Sequence, residues 1–120
     1  MFIADDSAVI RERLREMLSE IEGVAVVGDA VDVASAQQGI ESTRPDVAIV
    51  DIRMPGGSGI DVVRNLKRGK PGGPSFIMYS NYGLPQYRQA SAEAGADFFF
   101  DKATDTQKLA DAIHMLASRA

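Results

Sequence analysis

The sequence contains no cysteine, which removes disulfides, thiolate metal sites and thiol nucleophiles together. No apolar run approaches the roughly 18 residues that a membrane span requires. The first residues show no basic flank followed by an apolar stretch and a small-residue cleavage site, so a cytoplasmic location is expected. Basic excess is also missing. The net charge is −4, and a broad nucleic-acid surface depends on clustered Lys and Arg, so direct nucleic-acid binding is not expected. With 120 residues the chain suits a single domain over 1–120, too short for two independent cores.

Two kinds of segment alternate along the chain. Short β-branched or aromatic runs occur at Phe2-Ile3-Ala4, Val24-Ala25-Val26-Val27, Val47-Ala48-Ile49-Val50, Phe76-Ile77-Met78-Tyr79 and Phe98-Phe99-Phe100. Continuous apolar runs of this kind predict strands covered on both faces, as in a parallel sheet. Helical spacing fills the intervals. Ser7 to Ile21 places Val9, Ile10, Leu14, Met17, Leu18 and Ile21 on one face, with Gly23 as the stop. A second helix is expected from Val33 to about Ser42, capped by Asp32, and a third from Ile60 to about Lys67. The fourth, near Gln86 to Ala94, opens with Pro85 at a favourable first-turn position, closes at Gly95 and has an apolar face only alanine-deep. The fifth is expected from Thr104, where Thr104 and Gln107 have capping-box spacing. The Gly69–Pro74 stretch and the Lys67-Arg68-Gly69-Lys70 cluster read as a solvated loop.

Five βα units in this length predict an α/β, flavodoxin-like, doubly wound (βα)5 fold with a parallel five-stranded sheet in the order 2-1-3-4-5. Right-handed crossovers put every strand's C-terminal end on one edge, where sites collect. Asp5 and Asp6 end the first run, Asp51 the third and Ser80 the fourth, and Lys102 follows the fifth. Strands one and three are neighbours in that order, so three carboxylates converge. Like charges that close repel strongly, and a divalent cation relieves them. Ligands that are all oxygen favour a hard ion such as Mg²⁺, with Mn²⁺ as the alternative.

The Asp5-Asp6 pair, the Asp51-Ile52-Arg53-Met54-Pro55 run with Gly59 beyond it, Ser80 and Lys102 together resemble the receiver family of bacterial two-component response regulators. The likeness covers essentially the whole chain in order and spacing. It implies that Asp51 accepts a phosphoryl group from a histidine kinase or histidine phosphotransfer protein. It further implies that Asp6 and Asp51 hold the ion directly, Asp5 through water, and Arg53 through its backbone carbonyl. Lys102 would pair with a phosphoryl oxygen and Ser80 donate to another, with Ser80 coupled to a switch aromatic, Phe99. The surface of the fourth helix, fifth strand and fifth helix would then change its preference for a downstream protein target or an output domain, or form a homodimer. Such a chain is a signalling switch rather than a turnover enzyme. No output domain lies within these residues, and both a stand-alone receiver and one excised from a larger regulator fit.

Taken singly, each residue has a plainer reading: Asp6 as a helix cap, Ser80 as a strand-end hydroxyl, Lys102 as a solvated charge, Phe99 as core. His114 is assigned no function. The sequence also departs from the family. Ala103 follows the lysine where the family usually has proline, so a looser loop or a trans bond is expected. Asn81 stands where a small residue leaves phosphodonors room, and Arg53 and Tyr82 occupy positions that tune phosphoryl lifetime. Three other functions stay open at this point. An aspartyl-phosphate phosphatase needs a general acid two residues after its nucleophile, where this chain has Arg53. A flavin or nucleotide binder needs a phosphate cradle where the Asp5-Asp6 pair would repel an anion. A degenerate receiver serving only as an interaction module would not need all five positions filled by competent types.

Overall fold

The computed structural model describes residues 1–67 and 72–118. The Lys67-Arg68-Gly69-Lys70 cluster and the start of the Gly69–Pro74 loop therefore fall largely outside the described residues. In chain order the elements are β1 (Phe2–Ala4), α1 (Ala8–Ser19), β2 (Gly28–Ala30), α2 (Val33–Thr43), β3 (Val47–Val50), β4 (Arg53–Met54), β5 (Gly57–Ser58), α3 (Gly59–Lys67), β6 (Ser75–Ser80), α4 (Pro85–Ala94), β7 (Phe98–Asp101) and α5 (Thr106–Ser118). Five strands form one sheet in the order β2-β1-β3-β6-β7, and every pairing in it is parallel. Counted along the main sheet alone, this is the expected 2-1-3-4-5.

Strand alternation divides the core in two. Phe2, Ala4, Ala48, Val50, Phe76 and Met78 face one layer with Ala36 and Ile40 of α2, Val62 and Val63 of α3, and Ala94 of α4. Ile3, Ile49, Ile77 and Tyr79 face the other, with Leu14 and Leu18 of α1 and Leu109 and Ile113 of α5. Burial on both faces is why the central strands are apolar throughout rather than alternating.

The second strand lies later than its apolar run. Val24 to Val27 do not form the ladder; β2 is Gly28-Asp29-Ala30, registered on Phe2, Ile3 and Ala4. The valine run only leads in, with the Val27 N–H donating to the Met1 carbonyl at 2.8 Å. Space around Phe2 explains the shift. A Cβ on Gly28 would sit 2.9 Å from the Phe2 ring, and one on Gly39 of α2 would sit 2.5 Å from it. The ring is wedged against two glycines, so the strand must pair where a side chain is missing.

Helix boundaries differ in two places. Ser7 caps α1, its hydroxyl accepting the Ile10 N–H at 3.3 Å, and Val9 is 59% exposed rather than on the buried face. The Thr104–Gln107 capping box does not form. The last helix starts at Thr106, the Asp105 carbonyl accepts the Leu109 N–H, and Gln107 bonds Asp111 instead. The other expectations hold: Asp32 caps α2 by accepting the Ser35 N–H at 2.8 Å, and Gly95 closes α4 in the left-handed region at φ 113°. The only α4 residues that are fully buried are Ser91 and Ala94, so this helix is held shallowly.

Candidate phosphoryl and cation site

The C-terminal ends of β1, β3, β6 and β7 share one rim, and the expected site residues meet there. Asp5 continues β1, its N–H donating to the Ala30 carbonyl at 3.0 Å, and Asp51 continues β3, its N–H donating to the Ala4 carbonyl at 2.9 Å. These two ladder bonds fix the carboxylates side by side. Asp6, next along the chain, is exposed. The α1 cap bond is made by Ser7, and Asp5 accepts the Ser7 N–H at 2.9 Å, so neither contact consumes Asp6. One carboxylate oxygen from each of Asp5, Asp6 and Asp51 lies within 4.8 Å of the other two.

Lys102 closes the group. Its backbone N–H donates to the Ser80 carbonyl at 3.1 Å, extending the β6–β7 pairing past Asp101. Its Nζ then reaches Asp5 Oδ2 at 2.6 Å and Asp51 Oδ2 at 2.9 Å, with all three side chains at most 8% exposed. Burial raises the Asp5 carboxyl above its ordinary range, against the opposing pull of Lys102 and the Ser7 N–H, while the nearby Asp51 charge adds to the rise. For Lys102, burial lowers the ammonium's pKa, but the bonds and charges of Asp5 and Asp51 together outweigh it and hold the pKa above lysine's usual range. Lys102 is therefore charged, and its ammonium stands among three carboxyl groups at the rim. An all-oxygen, acid-rich donor set fits a hard divalent cation.

Asp51 Oδ1 accepts its neighbour's N–H, from Ile52 at 2.7 Å. Ser80 is fully buried at the end of β6, and its Oγ accepts the Tyr82 N–H at 3.1 Å, leaving the hydroxyl proton to donate. Phe99 lies half-buried on β7, beside β6 and against the α4 side of the core. Arg53 and Tyr82 meet at the mouth: Nη1 of Arg53 donates to the Tyr82 hydroxyl at 3.3 Å, with the guanidinium 5.1 Å from the ring centroid. Among the described residues all peptide bonds are trans, including Lys102–Ala103.

Three features were not legible beforehand. Arg53-Met54 and Gly57-Ser58 pair as a small antiparallel hairpin, β4–β5, that carries the chain from Asp51 into α3. Arg11 of α1 donates to the Asp5 carbonyl at 2.7 Å and pairs with Asp29. Arg88 stacks on Phe99 at 4.6 Å. Its place, one turn after Pro85, carried no signal of that contact.

Known proteins resemble this chain in sequence and fold. The response regulator receiver domain matches residues 1–114. The DNA-binding transcriptional activator DevR/DosR of Mycobacterium tuberculosis is 34% identical over 113 residues, which is 94% of this chain and 52% of that protein. A protein-glutamate methylesterase/protein-glutamine glutaminase of Alkalilimnicola ehrlichii is 35% identical over 102 residues, 83% of this chain and 26% of that protein. The chain thus spans a quarter to a half of the length of these relatives. Among solved structures, the signal receiver domain of the response regulator NarL from M. tuberculosis superposes with a TM-score of 0.87 at 30% identity, covering 98% of this chain and 94% of that one. The family match over residues 1–114 and the likeness of fold agree, and the chain belongs to the response regulator receiver domain family.

Proposed function

We propose that Asp51 is the phosphoryl acceptor of this receiver domain and that the Asp5, Asp6, Asp51 and Lys102 group is its reaction centre. The observation that carries this is the convergence of three carboxylates within 4.8 Å, with the Lys102 ammonium bridging two of them. Receivers are signalling switches that bind Mg²⁺ through acidic residues. Here Asp6 and Asp51 would hold Mg²⁺ or Mn²⁺ directly, Asp5 through water, and the Arg53 carbonyl would add an oxygen. The bound cation would offset charge on the transferring group's oxygens.

The chain's own residues supply the rest. A carboxylate oxygen of Asp51 attacks phosphorus in line, the bond from phosphorus to the donor's imidazole nitrogen breaks, and the histidine of the kinase or phosphotransfer protein leaves with the electron pair. The Ile52 N–H holds one oxygen of Asp51 and so orients the carboxylate. Lys102 exchanges its bond to Asp51 for one to a phosphoryl oxygen, and the Ser80 hydroxyl donates to another. Turning Ser80 alters its contact with Tyr82 and, through β7, the setting of Phe99. The surface of α4, β7 and α5 then changes its preference for a downstream target, an output domain or a second copy. This is a population shift between two arrangements.

Incubation with acetyl phosphate and Mg²⁺ should add one phosphoryl group, seen by mass, and Asp51→Asn should add none. Beryllofluoride with Mg²⁺ should move the amide resonances of Ser80 and Phe99 in the wild type only. Phosphorylation that survives Asp51→Asn, or that needs no divalent cation, would sink the reading. The Arg53–Tyr82 contact should shield the acyl phosphate from water. Its decay should quicken several-fold in Arg53→Ala and Tyr82→Ala, and unchanged decay removes the shielding role.

A further inference from the structure

The loop after β6 and the face of β7 are joined by a residue with no part in the phosphoryl chemistry. Arg88 lies in the first turn of α4, and its Nε donates to the Gly83 carbonyl at 3.0 Å. The same guanidinium lies over the Phe99 ring, 4.6 Å from its centroid. Gly83 keeps this corner tight. A Cβ there would come within 3.0 Å of Asp101 Oδ2 and 3.4 Å of an Arg88 nitrogen.

The start of α4 has little else to hold it. Its N-cap, Leu84, makes no side-chain cap bond, and the first turn closes only through the Tyr87 and Arg88 amides onto the Leu84 carbonyl. Tyr82 adds an edge contact to Tyr87 with centroids 6.0 Å apart. The path from the site to Phe99 is therefore short. Ser80 Oγ holds the Tyr82 N–H, the next residue supplies the Gly83 carbonyl, and Arg88 ties that carbonyl to Phe99.

We propose that Arg88 is a positioning residue, a latch that fastens the loop from Ser80 to Pro85 onto Phe99 and favours the unphosphorylated arrangement. A guanidinium suits the role because its planar fork can donate to a carbonyl while its face lies on an aromatic ring. When Ser80 turns toward a phosphoryl group, the Tyr82 N–H loses its acceptor, the Gly83 carbonyl shifts and the latch opens. The contact itself stands on the geometry alone; what it gates rests on the assignment of Asp51 as acceptor. A ligand needing the open arrangement binds with an affinity reduced by the fraction of molecules already in it, so loosening the latch tightens binding.

The test compares wild type, Arg88→Ala and Arg88→Lys as full chains. Beryllofluoride is titrated with Mg²⁺ by NMR, and amide exchange and the Phe99 ring signal are followed without ligand. Arg88→Ala should raise apparent beryllofluoride affinity roughly threefold to tenfold. It should also speed exchange at residues 82–88 and move the Phe99 signal, while amides of β1 and β3 and the urea midpoint stay near wild type. Arg88→Lys keeps a cation over the ring and should lie between the two. Wild-type affinity with wild-type exchange in Arg88→Ala overturns the latch, and so does weaker binding. If wild type ignores beryllofluoride, the phosphoryl reading fails, and exchange and the Phe99 signal in the unliganded variants still decide the latch.

Discussion

At the scale of single residues, Lys102 does two incompatible things at once. Its ammonium bonds Asp5 and Asp51 at 2.6 and 2.9 Å, and by the same contacts it competes with any cation for their Oδ2 atoms. Lys102→Met should therefore lose about 3 kcal/mol of stability without divalent ions, because two buried carboxylates are left facing each other. Its Mg²⁺ affinity should rise roughly tenfold, since a positive charge has left the site. Phosphorylation by acetyl phosphate should slow roughly a hundredfold, because the donor to the transferring group is gone. Urea titration, calorimetric Mg²⁺ binding and phosphorylation rates check the three in turn, and unchanged Mg²⁺ affinity would remove the competition. Gly59 is the other residue with a sharp consequence. Its N–H donates to the Ile52 carbonyl at 2.7 Å, and an added Cβ would lie 1.8 Å from the Asp51 carbonyl oxygen and 2.7 Å from Val50. Backbone cannot yield as a flexible side chain does. Gly59→Ala should cost about 3 kcal/mol in urea unfolding and impair phosphorylation by displacing Asp51. The placement of Asp5, Asp6, Asp51, Ser80 and Lys102 on one rim was readable because each stands where an apolar strand stops. Arg11 and Arg88 were not, because a cation on a helix's polar face looks the same whether it meets water or a neighbour.

Elements differ in how plainly their ends are written. Asp32 and Pro85 announce α2 and α4 by local chemistry that needs no tertiary partner, and both helices begin where those residues place them. The second strand fails the same reading because pattern points to valines, while the space around Phe2 admits only Gly28 and Gly39. The start of α5 is likewise settled by tertiary context. The Asp105 carboxylate accepts the Asp101 N–H at 3.0 Å, which fastens the turn after β7 and pushes the helix start beyond Thr104. The two-residue strands β4 and β5 are too short to carry any period. The Asp32 cap also gives stability a pH dependence. The Ser35 hydroxyl and Ser35 N–H both bond its carboxylate and lower its pKa in the folded chain. A depressed carboxyl contributes stability that is fully present above its unfolded pKa, about 3.9, and is lost as pH falls through the lower folded value. Asn caps comparably but does not titrate. Wild type should thus keep a constant advantage in urea midpoint over Asp32→Asn above about pH 5, and the advantage should shrink toward about pH 2. A difference that stays flat through the acid range would show that the cap does not titrate with folding.

For the whole molecule, the sheet order is what turns separated residues into one site. Placing β1 beside β3 brings the Asp5-Asp6 pair onto Asp51, and placing β7 beyond β6 brings Lys102 back across Ser80. The fold thereby adds to the adjacent Asp5-Asp6 pair a third carboxylate, Asp51, that the unfolded chain would hold far away, and that added crowding weighs on the folded state alone. A divalent cation that binds this group has nothing comparable to bind in the unfolded chain, so it must stabilise folding by mass action. With free Mg²⁺ at about 100 times its Kd the gain is about 2.7 kcal/mol. For a domain of this size that corresponds to a rise of roughly 10 °C in Tm. Asp6→Asn is the informative control. Asp6 is exposed and bears no part of the α1 cap bond, so its loss should leave the ion-free Tm nearly unchanged or slightly higher through relief of repulsion. It should nevertheless abolish most of the Mg²⁺-dependent rise. Ca²⁺ or spermidine at equal ionic strength separates a fitted site from general screening, since screening would raise both variants alike. A Tm that climbs equally in wild type and Asp6→Asn would mean that the rim is relieved by diffuse ions, and Asp6 would lose its place as a ligand.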